Sequence, residues 1–473
     1  MSETQQEDPG VVVVGAGMAG VQTAVALREQ GYEGPVTLLG AEPHPPYDRP
    51  PLSKAVLLGT AEGSAFDVDF EGLGIGLRLG VAVTGVRPAA HLVDTDAGPV
   101  PYTALVLATG AEPLALPGTQ DHPAVHLLRT LDDATRLRPV LADRRTVVVV
   151  GAGWIGAEFA TAAREAGCHV TVVEAAERPL AGALPAEAAE PMAAWYAEQG
   201  VELLTGVAVS RVEDHGVRLA DGRLLPADAV VVGIGARPAT GFLAGSGIAL
   251  DAHGAVLADG LLRASVPDVY AVGDCASFPS ARYGRRLLVH HWDNALQGPR
   301  TVAAALTGQE PAPYDPVPYF WSEQFGRFVQ YAGHHAPEDL LVHRGDPHAA
   351  AWSLCWLSPA GALRAVLTVG RPRDLTQGRK LIASGAPFSS RVADPTCPPQ
   401  VDHGLTPHLP AAPPLGLPVP VTDQPQSPAG LKGWPQTPAG LERRPQAPAG
   451  LGRWPQAPAG LVLGWAPPRP VRP

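Results

Sequence analysis

The chain has 473 residues, 17% of them charged, with 53 glycines, 52 prolines, four cysteines and a formal net charge of −11. That length exceeds one hydrophobic core and implies about two or three domains, while the negative charge argues against nucleic acid as a main partner, because phosphate recognition needs a basic surface. No apolar run approaches the roughly 20 residues of a membrane helix, and the start MSETQQEDPG lacks the basic and apolar regions of a secretory signal. A cytoplasmic protein with no membrane partner is expected.

In chain order, the first strong element is VVVVGAGMAGVQTAVALREQG from Val11. A β-branched run, a GxGxxG turn and an alanine-rich helix are the context in which a weak glycine pattern becomes a dinucleotide signal. Gly15 makes the turn, Gly17 lets a pyrophosphate approach the backbone, and Gly20 lets helix and strand pack closely. The helix N-terminus supplies free N–H groups and a partial positive charge. Glu42, after VTLLGA, stands where a ribose would accept a carboxylate.

Next comes YDRPPLSK, residues 47 to 54. Its prolines fix φ and remove backbone donors, so the segment is neither helix interior nor central strand, and it holds Tyr47, Arg49 and Lys54 on a stiff loop. YTALVLATGAEP (102 to 113) and LLRTLDDA (127 to 134) follow. The design of the first unit then recurs as VVVVGAGWIGAEFATAAREAG from Val147, with Gly151, Gly153 and Gly156 in the glycine roles and Glu174 ending VTVVE. A carboxylate at Glu42 or Glu174 accepts from ribose hydroxyls and repels a 2′-phosphate. FAD or NAD is therefore favoured over NADP, with Arg178 close enough to Glu174 to keep NADPH as the lesser candidate.

Beyond the second unit lie ADAVVVGIGARP (227 to 238), VPDVYAVGDCAS (266 to 277), HWDNALQG (291 to 298), VPYFWSEQFGRFVQYAG (317 to 333) and RPRDLTQGRKLI (371 to 382). The last 78 residues hold 20 of the 52 prolines and a ten-residue near-repeat, from PQSPAGLKGW to PQAPAGLVLG. Such density blocks helix and sheet ladders, so a disordered or polyproline-like tail is expected. A functional reading makes Trp434, Trp454 and Trp465 docking points for a partner, and the alternative is a neutral low-complexity extension. Cys168, Cys275, Cys355 and Cys397 are far apart, with no zinc or disulfide spacing.

Two dinucleotide units with ATG and GD segments resemble the flavoproteins of the glutathione reductase fold. Within that fold, the absence of any cysteine before Cys168 sets the chain apart from the thiol-relay branches. PYDRPPLSK and the later motifs resemble the ferredoxin reductases that serve oxygenases, the putidaredoxin reductase type. The resemblance implies an α/β fold of two Rossmann-like domains with a smaller C-terminal α/β domain. FAD-binding segments are expected at 1–113 and 247–320, an inserted NADH domain at 114–246, a C-terminal domain at 321–393 and the tail at 394–473.

By the same resemblance, FAD contacts fall to Gly15, Gly17, Ala19, Gly20, Glu42, Arg49, Lys54, Val83, Thr109, Gly110, Arg129, Asp274, Trp292 and Trp321. NAD contacts fall to Gly151, Gly153, Gly156, Glu174 and Gly235. Lys54, beside the flavin and paired with Glu158, is expected to stabilise charge that develops as a hydride arrives. No metal is implied. The implied activity is NADH:ferredoxin oxidoreduction, with a [2Fe–2S] ferredoxin as acceptor, or a rubredoxin or [3Fe–4S] ferredoxin, feeding a cytochrome P450 or Rieske oxygenase.

Two other readings stand beside it: an NADH-responsive flavoprotein acting through association, as in apoptosis-inducing factor, and a flavoprotein subunit of a larger reductase such as nitrite reductase. Docking of an acidic carrier on an acidic chain needs a local basic patch. The candidates are Arg282, Arg285, Arg286, Arg371, Arg373, Arg379 and Lys380. One departure from the relatives is His290, which stands where they commonly carry glutamate. It reads as a tolerated neighbour of Trp292 without a proton-transfer role, and His44 reads as a loop residue.

Overall fold

The computed structural model describes residues 8–386 and 388. The proline-rich segment 394–473, with its three tryptophans, lies outside the described residues.

Three five-stranded sheets organise the chain. In the first, the order is Val269–Ala271, Ala104–Leu107, Val11–Val14, Val36–Gly40 and Ile75–Leu79, every neighbouring pair parallel. Val11–Val14 and Ala104–Leu107 are buried throughout. This is why both read as continuous apolar runs rather than alternating ones. The helix Met18–Glu29 follows the first strand and packs on the helix Trp292–Leu306, which arrives from far along the chain.

The second sheet repeats the arrangement as Glu202–Leu204, His169–Val173, Thr146–Val150, Ala229–Val232 and Val125–His126, again all parallel. Its strands lie in sequence between Leu107 and Val269, so the second unit is inserted into the first. The two crossings run side by side: Ala111–Pro113 on the way out pairs antiparallel with Ala236–Pro238 on the way back.

The third sheet is antiparallel, in the order Tyr319–Gln324, Arg327–Gly333, Leu363–Val369, Trp352–Leu357 and Leu340–Arg344. The helix Pro372–Ser384 covers one face and stops at Gly385, whose φ of 64° is the left-handed conformation glycine adopts without a Cβ penalty. This α/β architecture agrees with the expected fold class. One hydrophobic core runs through all three parts, joining Tyr47, Leu52 and Val56 of the proline loop, Trp154 and Phe159 of the second Rossmann helix, and Phe320, Tyr331 and Trp352 of the third sheet. That shared core brings residues from remote positions to one site.

Candidate functional site: a cofactor cavity braced by three parts of the chain

A cavity of about 800 Å³ opens at the carboxyl ends of the first sheet, where open α/β sheets bind ligands. Its floor is the first glycine turn. Gly15 has φ +107°, and a Cβ there would stand 2.3 Å from the Ala108 carbonyl oxygen. A Cβ on Gly20 would stand 1.8 Å from the Gly15 carbonyl oxygen. Gly17 differs, because a Cβ there meets no protein atom within 4 Å. The first and third glycines are thus required by the fold, while the second keeps the backbone bare.

The proline loop forms the adjoining wall. Pro50–Ser53 is a buried 3₁₀ turn, and Tyr47 bridges to Ala65. The Tyr47 hydroxyl donates to Glu42 Oε2 at 2.6 Å, and Arg49 donates to Glu42 Oε1 and to the Arg129 carbonyl, both at 2.7 Å. The Leu131 N–H donates back to the Tyr47 hydroxyl at 2.9 Å. Arg129 in turn approaches Asp274 Oδ2 at 3.3 Å. Glu42, Arg49, Arg129 and Asp274 are therefore one charge network along the cavity, and each Glu42 oxygen keeps lone-pair capacity beyond its protein bond.

Gly15, Gly17, Ala19, Glu42, Arg49, Val83, Thr109, Gly110, Arg129, Asp274 and Trp292 all line the cavity. Gly20, Lys54 and Trp321 do not: Gly20 packs beneath the turn, Lys54 turns to Glu158, and Trp321 stands behind Trp292. The Thr109 hydroxyl is buried at the cavity beside the Cys275 thiol.

The second glycine turn has the same stereochemistry. Gly151 has φ +103° and a Cβ there would lie 2.4 Å from the Gly233 carbonyl oxygen, Gly156 would collide with the Gly151 carbonyl at 2.0 Å, and Gly153 meets only one atom, at 4.0 Å. Glu174 is held at this turn by N–H donors from Ala152 (2.7 Å) and Ala176 (2.9 Å). Gly235, with φ +125°, sits at the crossing, where its carbonyl accepts from the Leu114 N–H at 2.7 Å.

Residues 9–305 match the family described as pyridine nucleotide-disulphide oxidoreductase, and residues 319–399 match the family described as reductase C-terminal. The chain belongs to the pyridine nucleotide-disulphide oxidoreductase family. The oxidoreductase is 38% identical over 399 residues to rhodocoxin reductase of Rhodococcus erythropolis, covering 82% of this chain and 92% of that protein. It is 36% identical over 398 residues to the ferredoxin–NAD(+) reductase component of the p-cumate 2,3-dioxygenase system of Pseudomonas putida, covering 82% and 97%. Among solved structures it resembles the covalent putidaredoxin reductase–putidaredoxin complex, with a TM-score of 0.76 and 33% identity over 81% of this chain and 95% of that one.

The family implies FAD and NAD(H). The oxidoreductase offers FAD a fitting cradle: a bare backbone at Gly17, a buried Thr109 hydroxyl facing the cavity, and the Arg129–Asp274 pair. When bound, FAD supplies the means to accept a hydride as two electrons and to return them singly.

Behind this cavity the oxidoreductase places Lys54 Nζ 2.7 Å from Glu158 Oε2, with Glu158 only 1% exposed. The contact is a charge pair more than an aligned hydrogen bond, because the ammonium completes no well-directed N–H bond. Aligned bonds reach Glu158 from two serines instead: Ser53 donates to Oε2 at 2.8 Å and Ser322 to Oε1 at 2.7 Å. One carboxylate thus joins the proline loop, the second Rossmann helix and the third sheet.

At the opposite edge, Trp292 donates its indole N–H to Asp48 Oδ1 at 2.8 Å and meets Trp321 edge-on at 5.8 Å. Trp321 stacks on Tyr319 at 5.6 Å. Burial raises the Asp48 carboxyl to about 6, against the lowering effect of the Trp292 bond. His290 and His291 complete this wall. His291 stacks on Phe320 at 4.6 Å, and burial lowers its imidazole to about 4.

Asp48, Ser53, Ser322 and His291 escaped the sequence reading, although all four fall within motifs it singled out. The bonds of the first three join residues 105 to 244 positions apart, which no local pattern encodes. The expected basic patch fares differently. Arg282 donates to the carbonyls of Ile382 and Ala383, Arg286 to those of Ala258 and Ser277, Arg371 pairs with Asp374, and Arg379 approaches Asp293 and lies over Tyr319. Arg285, Arg373 and Lys380 are exposed. His44 pairs with Asp132 at 2.8 Å. Cys168, Cys275 and Cys355 are free and buried, burial raises each thiol, and none lines the cavity.

Proposed function

We propose that this chain carries electrons from NADH through FAD to a small iron–sulfur ferredoxin that serves a cytochrome P450 or Rieske-type oxygenase. The observation that carries this reading is the Lys54–Glu158–Ser322 junction. It ties the loop bounding the FAD cavity to the helix of the nicotinamide unit and to the C-terminal sheet. A nicotinamide held between those parts meets the bound flavin in a fixed orientation, which is where much of a hydride-transfer rate originates. Lys54 places a cation beside the region where negative charge develops on reduction.

Three further features support the reading. Among the described residues the cysteines are buried and none lines the cavity, so they offer no thiol relay, and a one-electron carrier is the matching acceptor. The names borne by the relatives, a ferredoxin–NAD(+) reductase component and a reductase captured with putidaredoxin, carry over to this chain as the same class of activity. Trp292 and Trp321 form an aromatic contact between the cavity wall and the C-terminal sheet, on the side we assign to electron exit.

We assign FAD to the first glycine turn with Glu42, Arg49, Val83, Thr109, Gly110, Arg129 and Asp274, and NADH to Gly151, Gly153, Gly156, Glu174 and Gly235. NADH is preferred over NADPH because the Glu174 carboxylate, fixed by two backbone N–H groups, opposes a 2′-phosphate. No helix among the described residues is long and apolar enough to cross a membrane, and we place the protein in the cytoplasm.

The test is an anaerobic titration with NADH and with NADPH, followed by cytochrome c reduction with and without added ferredoxins. Bleaching of a yellow chromophore by NADH, and cytochrome reduction that depends on ferredoxin, are expected. A colourless protein that stays colourless after reconstitution with FAD overturns the assignment.

A further inference from the structure

His290 lies at the wall shared by two cavities. It lines the large cofactor cavity, and it also lines a small chamber of about 30 Å³ between the FAD-binding unit, the second Rossmann helix and the third sheet. The residue is 7% exposed, yet neither ring nitrogen makes a well-formed hydrogen bond among the described residues. Asp274, through its charge and its backbone, favours the ring's proton, and Arg129 opposes it. Burial outweighs Asp274 and disfavours the charged imidazole.

The chamber itself is polar at several points. His291 and Trp154 both line it, Trp154 Nε1 is buried without a partner among the described residues, and His334 lines the far wall. A buried polar group left without any partner is costly. A volume of this size holds one water, and a water needs two to four polar partners, which the histidine and tryptophan nitrogens supply.

We infer that the chamber holds an ordered water and that His290, linked to it, is the group through which the cofactor cavity releases protons. The inference rests on the NADH:ferredoxin reading above. The net reaction is NADH plus two oxidised ferredoxins giving NAD+, two reduced ferredoxins and one proton. Two electrons leave on the ferredoxins, and the proton is left behind in the cofactor cavity. His290 accepts it on one ring nitrogen and releases one from the other to the chamber water. A neutral imidazole with one donor and one acceptor nitrogen suits this exchange, because it passes a proton without retaining it.

The test has two arms. High-resolution crystallography of the protein, with or without FAD, reads the chamber directly, and a water within hydrogen-bond distance of His290 is expected. Rapid mixing of the FAD-loaded protein with NADH and excess ferredoxin in weak buffer, followed with a pH indicator, reads proton release beside ferredoxin reduction. His290→Gln is expected to slow proton release and ferredoxin reduction about 10²-fold more than it slows bleaching by NADH. His290→Glu, a titratable group, restores release, and the solvent deuterium isotope effect on ferredoxin reduction differs between these two variants. Should His290→Gln fail to bind FAD, Ala183→Leu, which fills the chamber and leaves the imidazole in place, is expected to slow release in the same way. A dry chamber, or equal ratios and equal isotope effects in the wild type and either blocking variant, overturns the proton route alone. A wild type that bleaches with NADH but reduces no ferredoxin overturns the functional reading, and the route with it.

Discussion

Lys54 and Glu158 stand 104 positions apart in the sequence, yet their charged ends meet at 2.7 Å in a setting where the carboxylate is almost wholly removed from water. Such a pair adds little net stability against an apolar replacement of the same shape, but breaking it from one side is costly. Glu158 without its cation keeps only two serine donors.

Lys54→Ala is therefore expected to lower unfolding stability by about 3 kcal/mol and to slow flavin reduction by NADH while FAD stays bound. The double variant Lys54→Met, Glu158→Gln is expected to regain most of the stability and none of the hydride rate. Denaturant unfolding beside stopped-flow bleaching checks both. Equal recovery of stability and rate would show that Lys54 matters only as a structural partner.

Asp48 gives a pH signature. Its folded carboxyl titrates at about 6, above its ordinary value, so the favourable contribution is the protonated form's. That contribution is present in full below about pH 4, where Asp48 is protonated in both folded and unfolded chains, and it is lost as pH rises through 6. Asp48→Asn retains an acceptor for the Trp292 indole. It is expected to match the wild type near pH 4 and to exceed it above pH 7 by at most about 3 kcal/mol. Parallel denaturation curves of the FAD-free protein across this range decide it, and an identical gap at both ends would be the contrary result.

The glycines separate fold from binding. Gly20→Ala drives a Cβ into the Gly15 carbonyl and is expected to yield insoluble or unfolded protein, whereas Gly17→Ala places its methyl where no protein atom lies. The latter is expected to fold normally and to bind FAD about tenfold or more weakly, or roughly 1.4 kcal/mol. Circular dichroism and flavin fluorescence quenching distinguish the two. Gly153→Ala is expected to affect NADH in the same way, read as a raised KM.

Glu174 is positioned by the Ala152 and Ala176 amides, so Glu174→Gln keeps the shape and removes the charge. The expected result is a fall in the preference for NADH over NADPH of about tenfold, measured as the ratio of kcat/KM values. An unchanged ratio would place coenzyme choice elsewhere, with Arg178 as the next residue to vary.

What could be read from the sequence was whatever the chain states locally. Val11–Val14 and Val147–Val150, each followed by a glycine turn and a helix, announce two parallel sheets because the strand, the turn and the helix are contiguous. The loop around Tyr47 was legible as stiff for the same reason. The bonds that give the loop its use were not, since Asp48 finds Trp292 and Ser53 finds Glu158 only after folding. His290 shows the same limit: its identity was noticed, but its position between two cavities is a property of packing. The arginine clusters show the limit again: a run of cations reads as a surface for a partner, and that Arg282 and Arg286 also donate to carbonyls of their own chain is visible only after folding.

The carboxylate shared by Ser53, Lys54 and Ser322 also limits how such a protein can be recombined. A chimera that borrows the C-terminal sheet from a relative without a hydroxyl at position 322 inherits an orphaned lone pair deep in the splice, however well its surfaces match. Modules of this architecture are exchangeable as a trio with matched donors, and piecemeal grafting fails at a single buried oxygen.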